Sequence, residues 1–450
     1  MMMRLFTLLL LFTTAFIGVS PAQDSAITLH EIGTGTIPIR DTVASKPAQR
    51  LQIGGYGEAV MQRMSYSDDV FRYSNPANYK NGKHGRFDLP HVVFYLSYNF
   101  GRGWKVSTEI EFEHGGTGSA VEIENEESGE YENEVEKGGE VVLEQFWIEK
   151  SWADWANLRM GHIIVPVGLT NMYHMPTEFF SVLRPEEESE IIPCTWHETG
   201  ISFWGRAGAW RYEAMFVAGL DAERFNNANW INGGLTSPYE FSIANQYAGA
   251  VRIDNFSVKG LRLGLSGYYG NAGYNSLKST RYKNKDIKGT VAVGAFDAVY
   301  NDHHFLFRGN VLYGHLSDSY LISTTNMNMP SASPSPRTRV ASDAWSWYGE
   351  LGYDVLSFFP GRKYTADKLY VYAHYGYYNS MYKMQNNIET GAAIDPKAWS
   401  KKTIISAGLN YFPMNGLVLK AEYSLRKFVS PYNNEPTFSI GIAYAGIFKH

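Results

Sequence analysis

Apolar and polar residues alternate along most of this chain, and this alternation limits its fold more than any other feature of the sequence. In the clearest run, between Leu417 and Arg426, alternate residues are apolar, namely Leu417, Leu419, Ala421, Tyr423 and Leu425. Lys420, Glu422 and Arg426 lie among the residues between them. A period of two predicts a β-strand with one apolar and one polar face. The pattern recurs in residues 104–113, 261–269, 305–313, 345–355 and 438–448.

Counting such runs predicts about 16 strands, and an even count is typical of β-barrels that cross bacterial outer membranes. The predicted strands start near residues 51, 86, 103, 140, 157, 197, 209, 245, 260, 288, 303, 344, 368, 401, 415 and 436. In two of them, residues 141–150 and 290–300, the sequence does not show which face is polar.

The connections between the predicted strands alternate in length. Short turns fall at residues 99–103, 152–157, 205–208, 258–260, 300–303 and 413–416, with 357–367 as a longer member. Long polar loops fall near residues 65–85, 114–139, 164–196, 220–244, 271–287, 316–343 and 380–400. We therefore predict an all-β fold, a transmembrane antiparallel β-barrel of about 16 strands with short periplasmic turns and long extracellular loops.

Aromatic residues, 15% of the chain, gather beside the short turns. They are Phe100, Trp104, Trp152, Trp155, Trp204, Trp210, Phe358, Phe359, Tyr411 and Phe412. Rings concentrated at one end of the strands predict a belt at the membrane surface. The charged residues of the opposite strand face need water or partners. About 16 strands enclose an aqueous channel, so the polar face is predicted to line one.

The first residues predict export from the cytoplasm. Arg4 precedes an apolar run from Leu5 to Val19, and Ser20-Pro21-Ala22 supplies the small residues of a cleavage site. We predict a signal peptide in residues 1–22, a polar periplasmic lead-in in 23–50 and an outer-membrane barrel in 51–450. The single cysteine, Cys194, excludes an intramolecular disulfide.

Four short sequence motifs, which follow one another in the expected order, give the chain a family resemblance. They are Leu143–Lys150 (LEQFWIEK), Leu158–Gly168 (LRMGHIIVPVG), Phe179–Arg184 (FFSVLR) and Thr199–Gly205 (TGISFWG). In these motifs the chain resembles the phosphate-selective porin O/P family, which consists of trimeric 16-stranded porins of the outer membrane. The resemblance implies a homotrimer, and it places Gln145, Trp147 and Glu149 on the lumen face.

The chain departs from that family where phosphate selectivity would be set. Family members with phosphate specificity carry an arginine- and lysine-rich constriction, whereas here Arg184 is followed by Pro185-Glu-Glu-Glu-Ser-Glu190. The loop 164–196 also holds apolar residues that a water-exposed loop has little reason to keep, so we predict that it packs inside the barrel. Packing of this loop on a neighbouring subunit is the alternative. The predicted pore-lining residues are Arg184, Glu186, Glu187, Glu188, Glu190, Lys105, Glu109, Glu111, Arg308, Lys420, Glu422 and Arg426.

The predicted function is an outer-membrane porin, a passive channel for small hydrophilic solutes or ions, with anions such as phosphate among them. A structural or partner-binding barrel, such as an adhesin or a transport-complex subunit, is the alternative. Catalytic and cofactor motifs are missing, so we predict no enzyme, no cofactor and no metal. His303 and His304 are not expected to share a metal ion, because adjacent residues of a strand face opposite sides.

The predicted partners are outer-membrane lipid, lipopolysaccharide and a small hydrophilic solute. With a net charge of −5, nothing in the sequence indicates nucleic acid. The acidic run at 121–136 is either simply solvated or a site where divalent cations bridge to lipopolysaccharide.

Overall fold

The computed structural model describes residues 50–116, 139–235, 243–275, 287–330, 333, 335–361, 367–385 and 398–448. The predicted signal peptide, almost all of the lead-in and the acidic run 121–136 lie outside these residues.

The described chain forms one antiparallel sheet of 17 strand segments. The segments are β1 (Leu51–Met64), β2 (His84–Asp88), β3 (His91–Gly101), β4 (Trp104–Glu113), β5 (Val141–Ala153), β6 (Ala156–Ile164), β7 (His197–Ala207), β8 (Trp210–Ala218), β9 (Tyr247–Asn255), β10 (Leu261–Asn271), β11 (Thr290–Asp302), β12 (Phe305–Leu316), β13 (Asp343–Asp354), β14 (Lys368–Lys383), β15 (Lys401–Met414), β16 (Leu417–Phe428) and β17 (Glu435–Phe448). Every predicted strand start lies within about two residues of an observed one.

The segments occupy 16 positions in a closed barrel. Strands β2 and β3 share one position, because both pair with β1, at Val60–Met64 and at Leu51–Gly57 respectively. Pro90 lies between them and has no N–H to offer a ladder, which accounts for the interruption. Pairing of β1 with β17 closes the sheet and leaves no open edge. The predicted fold is therefore confirmed.

Two short α-helices interrupt the described loops, α1 (Glu186–Ser189) and α2 (Ser319–Met327). Single 3-10 turns occur at Val70–Arg72, Ala222–Arg224, Asn232–Leu235, Val355–Phe358 and Ala398–Ser400. In the described part of the chain, neither α-helix has the length and apolar character needed to cross a membrane.

The faces of the strands follow the predicted alternation. On β16, Leu419 and Tyr423 are 45% and 58% exposed on the outside, whereas Lys420 and Glu422 are buried on the inside. On β17, Ile440 and Ile442 point outward and Ser439 points inward. The outer surface is thus an apolar band that suits lipid, and the charged residues face the interior.

The structure explains why the sequence did not show which face is polar on two of the strands. On β5 a bulge pairs Glu109 with Gln145 but Ile110 with Leu143, so Glu144 and Gln145 both turn inward and the alternation changes phase. On β11 the inward residues Val291, Val293 and Ala295 are apolar and Asp297 is the charged inward residue, so the two faces differ little in polarity over most of the strand.

Most of the aromatic residues beside the short turns are exposed on the outer surface. They are Phe100, Trp104, Trp152, Trp155, Trp210, Phe358, Phe359 and Tyr411. Two members of the predicted belt lie inside the barrel instead. The Trp204 indole donates to Glu149 at 2.8 Å, and Phe412 packs on a buried cluster around Phe180.

Candidate functional site

The long connection between β6 and β7, residues 165–196 (loop L3), lies inside the barrel. Its apolar side chains Val165, Leu169, Phe179 and Ile191 are at most 2% exposed. They pack on inward residues of the wall, as Phe180 does when it stacks on Tyr372 with ring centroids 5.0 Å apart. The apolar residues that distinguish this loop in the sequence are therefore its contacts with the wall.

Polar side chains of the wall hold the backbone of L3. The Lys420 ammonium donates to the carbonyl oxygens of Phe179 at 2.9 Å and of Ser181 at 2.7 Å. The Asn410 amide donates to the carbonyl of Phe180 at 3.0 Å. Because these carbonyls lie away from water, each bond satisfies an acceptor that would otherwise be costly to bury.

A second set of contacts holds the first turn of L3. The Arg252 guanidinium donates to the Gly168 carbonyl at 2.9 Å, and it forms ion pairs with Asp254 and Asp297 at 2.7 and 3.0 Å. Arg262 joins the same pair of aspartates, at 3.0 and 2.7 Å. This buried charge network therefore fixes where the loop leaves the wall.

The acidic segment of L3 uses its glutamates in different ways. Glu186 pairs with Arg426 at 2.5 Å, and Glu187 lies 2.7 Å from His374. Burial raises the pKa of Glu186, but the charge and hydrogen bonds of Arg426, together with the charge of Lys402, outweigh burial and lower the pKa. Glu188 has no exposed surface and accepts N–H bonds from the turn at residues 169–171, at 2.8 to 3.0 Å.

A cavity of about 470 Å³ lies between this acidic segment and the wall formed by β1 and β14–β17. Its basic lining residues are Arg72, Arg86, Arg184, Lys402 and Arg426. Its acidic lining residues are Glu58, Glu186, Glu187, Glu190, Glu422 and Glu435. The lining thus carries both signs of charge in similar number.

Several of these charges are paired across the cavity wall. Glu435 accepts from Arg426 at 2.6 Å and from Arg72 at 3.0 Å. Tyr73 donates to the same carboxylate at 2.8 Å. A solute in the cavity would therefore meet groups whose fields partly cancel.

The opposite half of the lumen is filled with protein. Residues 219–246 (loop L4) and 317–342 (loop L6), where described, pack with part of L3 on the inner faces of β8–β13. Trp230 is fully buried against Gly314, where no side chain could fit, and donates to the Ala341 carbonyl at 3.0 Å. Among the described residues, the polar cavity thus lies on one side of the interior and the packed loops lie on the other.

Comparisons with known proteins address the fold. OmpF of Salmonella typhi, solved in complex with daunomycin, matches with a TM-score of 0.50 at 11% identity, over 88% of this chain and 97% of OmpF. The anion-selective porin from Comamonas acidovorans has a TM-score of 0.48 at 10% identity, over 88% of this chain and 99% of that porin. The chain has the barrel fold of outer-membrane porins.

In sequence, an uncharacterized protein of Aquifex aeolicus (strain VF5) is 26% identical over 396 residues, which are 86% of this chain and 78% of that protein. No protein-family model matches the chain. The structure has the porin fold. The resemblance to the phosphate-selective porin O/P family in particular accordingly stays a prediction.

The residues predicted to line a pore fall into two groups. Those that line the cavity are Arg184, Glu186, Glu187, Glu190, Glu422 and Arg426. Those that face inward elsewhere are Lys105, Glu109, Glu111, Glu188, Arg308 and Lys420. Glu188 and Lys420 hold L3 in place, Glu109 accepts from Gln145 at 2.6 Å, and Glu111 lies 2.8 Å from His91.

Some cavity residues were not anticipated from the sequence. Arg72 and Tyr73 lie on the first long loop, and Lys402 and Glu435 lie at strand ends, where alternation says little about facing. The inward packing of L4 had a usable signal, because Phe225, Trp230 and Ile231 are apolar anchors of the same kind as those of L3.

In the described part of the chain, two groups of side chains inside the barrel have the donor atoms of metal ligands. One is His91, Glu111 and Glu113, and the other is Glu109, Glu144 and His174. The first group lies on the neighbouring strands β3 and β4, whereas the second combines β4, β5 and L3 and has no spacing motif that could have indicated it.

Proposed function

We propose that the protein is a porin, which lets small hydrophilic solutes diffuse through the polar half of its lumen. The observation that carries this proposal is the 470 Å³ cavity between L3 and the wall, with its charged lining. Charged groups in such a space require water, and a barrel of 16 strands is wide enough to hold it. Loop L3 would form the narrowest part of the path.

We propose further that the channel has weak ion selectivity and no strong preference for phosphate. A phosphate site needs a surplus of basic groups that present free donors. Here Arg426 and Arg72 are already paired with carboxylates, and Glu190 adds negative charge to the same space. Small neutral solutes and ions of either sign are therefore the proposed substrates, and anions such as phosphate pass only as members of that class.

Conductance of the purified protein in planar lipid bilayers tests the proposal. We expect discrete conductance steps that are reduced by Ser424→Trp, because Ser424 lines the cavity and a ring there would fill it. The matched control is Tyr423→Trp, one residue along the same strand on the lipid face. No conductance from folded barrels would favour the structural or partner-binding barrel, and equal steps in both variants would place the path elsewhere.

Export and assembly remain proposals that rest on the sequence. We propose that residues 1–22 are removed on export, so that the mature protein begins at Gln23, which N-terminal sequencing would test. We also propose a homotrimer in contact with lipid and lipopolysaccharide. The mass of the detergent-solubilised protein, measured by sedimentation, would test the trimer.

A further inference from the structure

We propose that a divalent transition-metal ion of the zinc class binds between L3 and the barrel wall, at Glu109, Glu144 and His174. Glu109 lies on β4, Glu144 on β5 and His174 on L3, and all three are at most 4% exposed. One donor atom from each lies within 4.8 Å of the others. This inference is independent of the proposed channel function.

The hydrogen bonding of His174 argues for a cation beside it. Its Nδ1 lies 3.1 Å from the carbonyl oxygen of Asn171, which can only accept, so Nδ1 carries the hydrogen. Its Nε2 lies 3.6 Å from a carboxylate oxygen of Glu144, beyond hydrogen-bond distance, so this nitrogen faces the carboxylates without a hydrogen bond.

This arrangement is the one that metal-binding histidines adopt. Such a histidine donates its second ring N–H to a carbonyl or carboxylate, which fixes the ring and leaves the other nitrogen for the metal. Two ligand atoms each about 2.0–2.1 Å from a tetrahedral zinc ion are about 3.4 Å apart. The 3.6 Å separation between His174 and Glu144 is close to that value.

The two carboxylates are oriented by neighbours of their own. Glu144 accepts from the Tyr56 hydroxyl at 3.0 Å and from the Thr195 hydroxyl at 2.6 Å. Glu109 accepts from Gln145 at 2.6 Å through one oxygen, which leaves the other oxygen for a further partner. Outer contacts of this kind hold ligands in position before a metal arrives.

A small cavity of about 10 Å³ adjoins the cluster, and Glu109, His174, Tyr95 and Glu178 are among its lining residues. The Tyr95 side chain is 1% exposed, and one oxygen of Glu178 has no hydrogen-bond partner among the described residues. The space is about the size of one water molecule, so it could hold the ion or the water that completes its coordination.

The local charge also favours a divalent ion. Glu109, Glu111 and Glu144 are buried together, and Arg184 of L3 is the basic side chain that interacts with both Glu111 and Glu144. The carboxylates of Glu109 and Glu144 would balance the charge of a divalent ion bound between them. A histidine nitrogen with two carboxylates suits zinc better than calcium or magnesium, which prefer oxygen ligands alone.

The test is zinc binding by the untagged, full-length protein in detergent, with Cys194→Ser as background so that the thiol cannot contribute. The protein is stripped with a chelator, loaded with zinc and separated from free metal, and bound zinc is measured by elemental analysis. We expect one tightly held zinc per chain. We expect Glu144→Gln and His174→Gln to weaken it at least about tenfold.

The matched control is His91→Gln, which alters the neighbouring group of His91, Glu111 and Glu113 and should keep the zinc. Heat-dependent gel mobility checks that each variant forms a barrel. Glu109→Gln, which changes a ligand on the wall strand β4, replaces any variant that does not form one. No bound zinc in the background protein would overturn the proposal. Retention of zinc by His174→Gln, or its loss in His91→Gln alone, would also overturn it.

Discussion

The two halves of the lumen differ in what they face. Along β8–β13 the inner wall packs on L3, L4 and L6, and inward residues such as Val293, Ala295 and Leu312 are apolar and buried. Along β14–β17 and β1 the wall faces the polar cavity, and Glu422 and Arg426 point into it. The chemistry of an inward position thus depends on whether protein or water lies opposite it.

This difference has a consequence for how wide the channel is. A barrel of 16 strands has room for a broad pore, but here described parts of L3, L4 and L6 pack along β8–β13 and narrow it. In the proposed function the path runs along one side of the barrel only. Four sets of variants test whether one side of the lumen is packed protein and the other is a polar cavity.

Accessibility of introduced thiols should give the largest contrast. In a Cys194→Ser background, Ser424→Cys should react fully with a membrane-impermeant thiol reagent, because Ser424 lines the cavity. Ala295→Cys also points inward, but it should not react, since it faces packed protein. Leu419→Cys on the lipid face is the control for background reaction. Equal labelling at Ser424 and Ala295 would mean that water reaches both halves.

Removing a large side chain from the filled half should cost substantial stability. Trp230→Ala should lower the free energy of unfolding by about 3–5 kcal/mol, because the ring is fully buried and nothing else can fill its place. Urea unfolding of the barrel in lipid vesicles measures this. Trp155→Ala, whose ring is 61% exposed, should cost clearly less. A similar cost for both would contradict tight packing around Trp230.

Weakening the anchor on the polar side should cost less but should disturb the channel more. Lys420→Met removes the bonds to the carbonyls of Phe179 and Ser181, at a cost of about 1.5–3 kcal/mol. Because L3 is then less firmly held, we expect noisier single-channel currents. The comparison is Lys427→Met, an exposed neighbour on the same strand. Quiet currents and unchanged stability in Lys420→Met would show that other contacts suffice to hold L3.

The smallest expected effect concerns ion selectivity. Arg426→Gln leaves Glu186 and Glu435 without their shared partner, so cations should be favoured by on the order of 1 kcal/mol, about fivefold in permeability ratio. The zero-current potential in a salt gradient measures this ratio. Lys427→Gln should leave it unchanged, because that residue lies outside the cavity. A shift towards anions would refute the proposed path past Arg426.

The sequence predicted the strands well because lipid imposes one requirement on every outward residue. Leu419 and Tyr423 must be apolar whatever lies inside, and so the period survives along β16. The prediction weakened on β11, where the interior is apolar too. It also weakened on β5, where the bulge at Glu144 shifts the phase, and no rule of alternation anticipates a single extra residue.

The candidate site was predicted only in outline. The apolar residues of L3 indicated that the loop packs on something, and the acidic segment was correctly noticed as a feature of that loop. The partners of the acidic segment could not be predicted, because Glu186 and Arg426 are 240 residues apart and only the closed barrel brings them together. The donor atoms of His174 and Glu109 meet because L3 folds against the inner wall at β4.

The anchors of L3 also bear on the order in which the protein assembles. Arg252, Glu350, Lys420 and Arg426 all hold a loop that precedes them in the chain, so L3 cannot reach its final position until the last strands have arrived. Closure of the barrel also needs a late strand, β17, which must pair with β1. Contacts of such long sequence separation form slowly. We therefore expect the insertion intermediate to be an open sheet with an unplaced loop, and the narrowing of the lumen to be among the last events of its biogenesis.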